Sequence, residues 1–164
     1  MPQSEVYRQL KDWLSNASRV VIAGIGNPIR SDDFVGTKIV QQLQDKLPVE
    51  VQLIECETIP ESYILEIEEF KPSHVLLIDA AMLELAPGEA RLVFPEQVAG
   101  FSAFSTHVLP LRVFSDYLKE ATGAKIALLL IQPKNVEFGE GLSEELAAAS
   151  KQVESWLMEL LLTL

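Results

Sequence analysis

Apolar residues recur along this chain in two rhythms, one close to every third or fourth position and one in short unbroken or alternating runs. Val6, Leu10, Trp13 and Leu14 sit at helical spacing and predict an amphipathic helix over residues 1–16. Arg19 to Ile25 is rich in β-branched residues and runs into Gly26-Asn27-Pro28, the pattern of a buried strand halted at a turn. Val35, Ile39, Leu43 and Leu47 form one helical stripe closed by Pro48, and Val49, Val51 and Leu53 then alternate as a second strand. Ile64, Leu65, Ile67 and Phe70 predict a short helix ended by Pro72. His74 to Asp79 is the most continuous buried strand, and Arg91 to Phe94 makes a fourth. Pro110 suits the first position of a helix that buries Val113, Phe114, Tyr117 and Leu118. Ile126 to Ile131 is a fifth strand stopped by Gln132-Pro133. Ser143 is placed to cap a last helix, with Glu144 and Glu145 where the helix dipole favours them.

Strands that alternate with helices predict an α/β domain of three layers around a mostly parallel sheet. The whole of 1–164 reads as one domain, with the helix of residues 1–17 as an extension to an α/β core over 19–164. In such sheets ligands bind beyond the carboxyl ends of the strands. The chemistry is therefore expected in the loops after strands one to four.

Composition narrows the function. The chain has 164 residues, 48% hydrophobic and 23% charged, which suits one globular domain with a core that needs no staples. Its single cysteine, Cys56, excludes an internal disulfide and any zinc site built on several thiolates. Thirteen Lys and Arg against twenty-four Asp and Glu give a net charge of −11, which argues against a nucleic-acid partner. The first residues lack the basic start and apolar run of a signal peptide, and the apolar tail is too short for membrane insertion. The expected location is the cytoplasm.

Within the first loop, Gly24-Ile25-Gly26-Asn27-Pro28-Ile29 lacks the third glycine of a dinucleotide fingerprint and has no phosphate-binding lysine. It does offer two adjacent carboxylates, Asp32 and Asp33. Capping explains one of them, and Asp32 is assigned that role. Asp79 ends an apolar strand, where a carboxylate is costly unless hydrogen-bonded or coordinated. Of the two histidines, His74 opens strand three at the opposite end and reads as a surface or edge residue. His107 stands in the loop after strand four. Asp33, Asp79 and His107 are all expected at one edge of the sheet, and two carboxylates with one imidazole suit a divalent first-row metal such as nickel or zinc. Cys56, between Glu55 and Glu57, reads as a space-filler rather than a nucleophile.

Gly26-Asn27-Pro28-Ile29-Arg30-Ser31-Asp32-Asp33-Phe34-Val35-Gly36 resembles the first signature of the [NiFe]-hydrogenase maturation endopeptidases. Leu77-Ile78-Asp79-Ala80, Ser105-Thr106-His107 with Pro110-Leu111, and Ile131-Gln132-Pro133 follow in the order of that family. Pro60-Glu61 resembles the branch that matures the large subunit of formate-linked, hydrogen-evolving hydrogenase. The resemblance implies a three-layer α/β/α sandwich with a five-stranded mixed sheet, and strand four is the candidate for the one antiparallel strand. It implies removal of a C-terminal extension from the precursor of the hydrogenase large subunit after nickel insertion, with nickel supplied by the substrate as the recognition element. Asp33, Asp79 and His107 match the family's metal-contacting acid, Asp and His. Asn27, Asp32, Thr58, Glu61 and Thr106, in the same loops, are the candidate contacts to the substrate.

The chain departs from the family's pattern in two loops, and the helix of residues 1–16 is an extension that the compact family core does not need. Cys56-Glu57 precede Thr58 where a Gly-Gly pair is common, and Val108 follows the histidine where Asn is common. Two other readings compete. The Gly-Ile-Gly-Asn-Pro start also resembles peptidyl-tRNA hydrolase, but that family's catalytic histidine is missing and the charge is wrong for tRNA. A non-enzymatic metal-dependent binding module or chaperone shares every feature except the catalytic step.

Overall fold

The computed structural model describes the backbone of residues 2–100 and 108–164. The strands β1 (Val20–Ile25), β2 (Val51–Glu57), β3 (His74–Ala80), β4 (Ala90–Val93) and β5 (Lys125–Ile131) form one sheet in the order β2-β1-β3-β5-β4. β2, β1, β3 and β5 are parallel, and β4 runs antiparallel to β5, so strand four is the reversed one. β1 and β3 are buried along their whole length. Both of their faces are covered by helices, which is why they read as unbroken apolar runs.

The helices α1 (Pro2–Trp13), α2 (Val35–Leu43), α3 (Ile64–Phe70), α4 (Val108–Thr122) and α5 (Glu144–Leu161) make the two outer layers. Val6 and Leu10 of α1, Ile39 and Leu43 of α2, and Val153 and Leu157 of α5 cluster with Val20, Ile22, Leu76, Ile78 and Leu129 on one face. Ile67 of α3 and Leu111, Phe114 and Leu118 of α4 cluster with Val21, Ala23, Val75, Leu77 and Leu128 on the other. The strand residues divide between the faces by alternation, as the pleat requires. α1 contributes to the core directly, so it is a member of its layer and not an appendage.

Three local expectations are corrected. In α4 the buried stripe is Leu111, Phe114, Ser115 and Leu118, while Val113 and Tyr117 face outward. The stripe keeps i, i+3, i+4, i+7 spacing because the Ser115 hydroxyl satisfies itself, donating to the Leu111 carbonyl at 2.6 Å. Val49 is exposed and precedes β2, since the Val51 amide donates to the Pro48 carbonyl at 3.0 Å and closes a turn there. His74 is buried rather than at the surface. The Trp13 ring meets it edge-on at 4.9 Å, and Nδ1 lies 2.9 Å from the Ser73 hydroxyl. Burial pushes the imidazole pKa down.

β1 leads outward to β2, while its other neighbour is β3. The point where the chain changes direction across the sheet lies between β1 and β3, and in open α/β sheets that crevice is the binding site.

Candidate active site

Asp33 and Asp79 reach the switch point from its two sides. Asp79 is the second-last residue of β3, one position beyond the last β1–β3 register pair, Gly24 with Ile78. Asp33 follows β1 in a tight 3-10 turn, Ser31–Phe34, just ahead of α2. The turn is pressed onto the strand ends. A methyl group on Gly26 would lie 2.3 Å from the Asp33 carbonyl oxygen, and one on Gly36 only 2.1 Å from that of Ile78. Glycine at these two positions is what lets α2 start directly over the sheet.

The loop fixes the Asp33 carboxylate. The Asn27 amide donates to Asp33 Oδ2 at 3.0 Å, and the Asp33 amide returns to the Arg30 carbonyl at 3.0 Å. The Asn27 side chain is engaged as well, accepting from the Ile29 amide at 3.0 Å. Asp79 Oδ1 accepts from the Ala80 amide at 2.8 Å. Asp33 retains 9% of its exposure and Asp79 1%. Two carboxylates this dry, one of them just ahead of a helix whose dipole favours negative charge, are suited to hold a cation.

Asp32 has a different place from its neighbour. It is 0% exposed, and its carboxylate accepts from the amides of Lys134, Asn135 and Ser143 at 2.9, 3.1 and 2.7 Å and from the Ser143 hydroxyl at 2.9 Å. The expected cap therefore acts on another part of the chain: Asp32 anchors the loop after β5 and the N-cap of α5. Those four donors occupy it, which leaves Asp32 as a support for the site and not a contact for substrate.

Thr58 and Glu61 are exposed in and beside the turn after β2. Glu57 adopts a φ of +54°, a left-handed conformation that glycine takes without strain. That residue stands where the family's second glycine is common. A register shift between Gly24 and Ile25 accompanies it, and the Gly26 amide donates to the Glu57 carbonyl at 2.7 Å. Cys56 is buried and its thiol pKa is pushed up to about 12, first by burial and then by Glu66 and Glu61. It carries no nucleophile at neutral pH.

Thr106 and His107 lie outside the described residues. The reversed direction of β4 matters here, because its carboxyl end points to the opposite edge of the sheet from those of β1 and β3. The chain returns from there through α4, which ends two residues before β5 begins, and the role of His107 as a metal contact is what the resemblance implies. Among the described residues no three His, Cys, Asp or Glu side chains gather as a metal site.

Sequence reasoning gave Gln132 no role. Its Oε1 accepts from the Leu83 amide at 2.6 Å, and its Nε2 donates to the Pro133 carbonyl at 3.0 Å. It thereby holds the loop that follows Asp79. The signal was available as a polar residue capping the apolar run of β5.

The family model described as hydrogenase maturation protease matches residues 5–160. The chain belongs to the hydrogenase maturation protease family. This protease is 34% identical to the [NiFe] hydrogenase maturation protease HycI of Thermococcus kodakarensis KOD1, whose crystal structure superposes with a TM-score of 0.86 over 93% of this chain and 98% of that one. It is 30% identical over 140 residues to the hydrogenase 3 maturation protease of Escherichia coli K12, covering 83% and 89% of the two chains. The solution structure of the endopeptidase HycI from Escherichia coli gives a TM-score of 0.73 at 27% identity, over 84% of this chain and 87% of that one. The protease is thus an endopeptidase of hydrogenase maturation with the five-stranded mixed sheet of its relatives. The family match begins within α1, in keeping with that helix's place in the core. Among the described residues no helix is long and apolar enough to cross a membrane.

Proposed function

We propose that this endopeptidase removes the C-terminal extension of an immature [NiFe]-hydrogenase large subunit after nickel has been inserted, and that the nickel in the substrate is what the site recognises. The observation that carries the reading is the pair of nearly dry carboxylates, Asp33 and Asp79, on either side of the β1–β3 switch point. With the His107 imidazole they make a donor set for a divalent first-row metal. The set contains no thiolate and is not a closed shell, so it suits a metal already held by the precursor better than a free ion. Nickel bound on the substrate side then presents the scissile bond to the two carboxylates. Water adds to the carbonyl carbon as a carboxylate takes its proton, and the proton passes to the leaving amine as the C–N bond breaks. Pro60-Glu61 and the similarity to the hydrogenase 3 maturation protease support the large subunit of a formate-linked, hydrogen-evolving enzyme as the substrate. The reaction is assigned to the cytoplasm.

The test offers the protease two matched precursors, one nickel-loaded and one metal-free, and follows shortening on a gel. Only the loaded precursor is expected to be cut. Equal cleavage of both defeats nickel recognition, and cleavage of neither defeats the substrate assignment. Asp33→Asn, Asp79→Asn and His107→Ala should each abolish processing with melting temperatures close to the parent's. A folded variant that still cuts near normally removes its residue from the site.

A further inference from the structure

Nine large apolar side chains are exposed among the described residues, and four of them stand at one edge of the sheet. Ile29 follows β1, Ile59 follows β2, Met82 follows β3 and Phe138 follows β5, so each of the four parallel strands delivers one at its carboxyl end. Their exposures are 44%, 45%, 45% and 84%. Single exposed apolar residues need no explanation, but four from separate loops around one pair of carboxylates form a set. The strands that carry them span three inter-strand spacings, roughly 15 Å at about 4.8 Å each. That width suits the centre of a protein–protein footprint better than a slot for an extended peptide.

The supports of these side chains are fixed. The Gly139 amide donates to the Ile29 carbonyl at 2.9 Å and the Ser31 amide to the Gly139 carbonyl at 2.9 Å, which ties the loop of Ile29 to the loop of Phe138. Gln132 Nε2 lies 3.7 Å from Met82 Sδ. Little ordering is therefore left for a partner to impose. The same loops expose Glu57, Glu61, Glu84, Glu137 and Glu140 against Arg30 and Lys134, and Lys134 is already paired with Glu145 at 2.8 Å.

The geometry points to Ile29, Ile59, Met82 and Phe138 as the anchors of a docking surface for the folded body of the precursor, one that presents an apolar patch bordered by Lys and Arg. This rests on the substrate assignment above and adds to it that the precursor is held by its body as well as by its tail. The anchors surround Asp33 and Asp79, so a large substrate that reaches the carboxylates must cover them.

The test measures equilibrium binding of fluorescently labelled protease to the nickel-loaded large-subunit precursor, alongside cleavage kinetics. The double variants Ile29→Asn/Phe138→Asn and Ile59→Asn/Met82→Asn should each raise Kd and KM at least tenfold, with kcat within about twofold and unchanged melting. Added salt should weaken binding by the parent protein. Leu65→Asn and Val113→Asn, exposed on the helical face, should leave Kd unchanged. If the parent cuts the precursor while both double variants bind as tightly as it does, the docking surface fails alone. If Leu65→Asn or Val113→Asn weakens binding as much, the interface lies on α3 and α4 and the proposal is overturned. If the parent neither binds nor cuts, the substrate assignment fails and takes the docking surface with it.

Discussion

Replacing Asp32 should damage this protein more than replacing any surface carboxylate, and the structure says by how much. The carboxylate is fully buried, and one oxygen, Oδ2, accepts from two amides and a hydroxyl while Oδ1 accepts from the Ser143 amide. Hydrogen bonds to a charged group are worth about 1.5–3 kcal/mol each, but the four share one acceptor group and do not add. In Asp32→Ala the amides of Lys134 and Asn135 belong to exposed residues and can recover water. The Ser143 amide, at the cap of α5, recovers it less easily. The net cost should be about 4 kcal/mol, near the upper end for a single substitution. For a chain of this size that corresponds to a fall in Tm of roughly 8–16 °C. Asp32→Asn can leave its oxygen at the Oδ2 position, but its NH2 then faces the Ser143 amide donor, a loss of about 2 kcal/mol. Urea unfolding followed by circular dichroism measures both, and amide exchange at Lys134 and Asn135 should accelerate first. An Asp32→Ala variant within about 1 kcal/mol of the parent would refute the anchoring role.

Glu57→Gly removes a side chain from a left-handed backbone position, where the strain of about 1–2 kcal/mol outweighs the extra flexibility of glycine. Tm should rise by one to a few degrees, at about 2–4 °C per kcal/mol, and a fall in thermal melts would contradict the strain argument. Leu10 is fully buried between α1 and the sheet, so Leu10→Ala should cost about 2–5 kcal/mol; denaturant melts that match the parent would return α1 to the status of an appendage. The buried His74 has its pKa lowered, so the folded state disfavours the imidazolium. Its contribution is intact above the unfolded value of about 6.5 and is lost as pH falls from there through the lowered folded value. The stability curve of His74→Gln should be flatter over that window, and an unchanged slope would show that another group governs it.

The architecture was legible because β1, β3 and β5 are buried by helices on both sides and so appear as unbroken apolar runs. Periodicity was weaker where a polar residue satisfied itself. Ser115 stands in the buried stripe of α4 by donating to its own helix, and that made Val113 and Tyr117 look like the inward pair. The burial of His74 comes with Trp13, a residue some sixty positions away that no local pattern connects to it. Asp79 could be found since it closes an apolar strand at a place where a carboxylate has no packing reason to be, and Asp33 since two adjacent carboxylates precede a helix where capping needs only one. Asp32 could not be told from Asp33 by spacing. What separates them is which way each carboxylate turns, and that depends on a loop a hundred residues later. β4 was expected as the reversed strand only from the resemblance, because a four-residue strand carries no mark of whether it runs with its neighbours or against them.

The contact of Gly26 and Gly36 with the strand ends has a consequence for how this protease can vary. A side chain at a helix–sheet interface normally acts as a spacer, and exchanging it for a larger or smaller one tunes the separation of the layers. Here main chain rests on main chain, with no room for one methyl group between Gly36 and the carbonyls of Ile78 and Ile25. The separation of the turn bearing Asp33 from the strand bearing Asp79 is therefore a property of the polypeptide backbone itself. Substitutions deeper in the core can loosen the fold or stiffen it while leaving that distance where it was. Specificity can then drift through the rim loops, generation after generation, around a pair of carboxylates whose spacing is not free to follow.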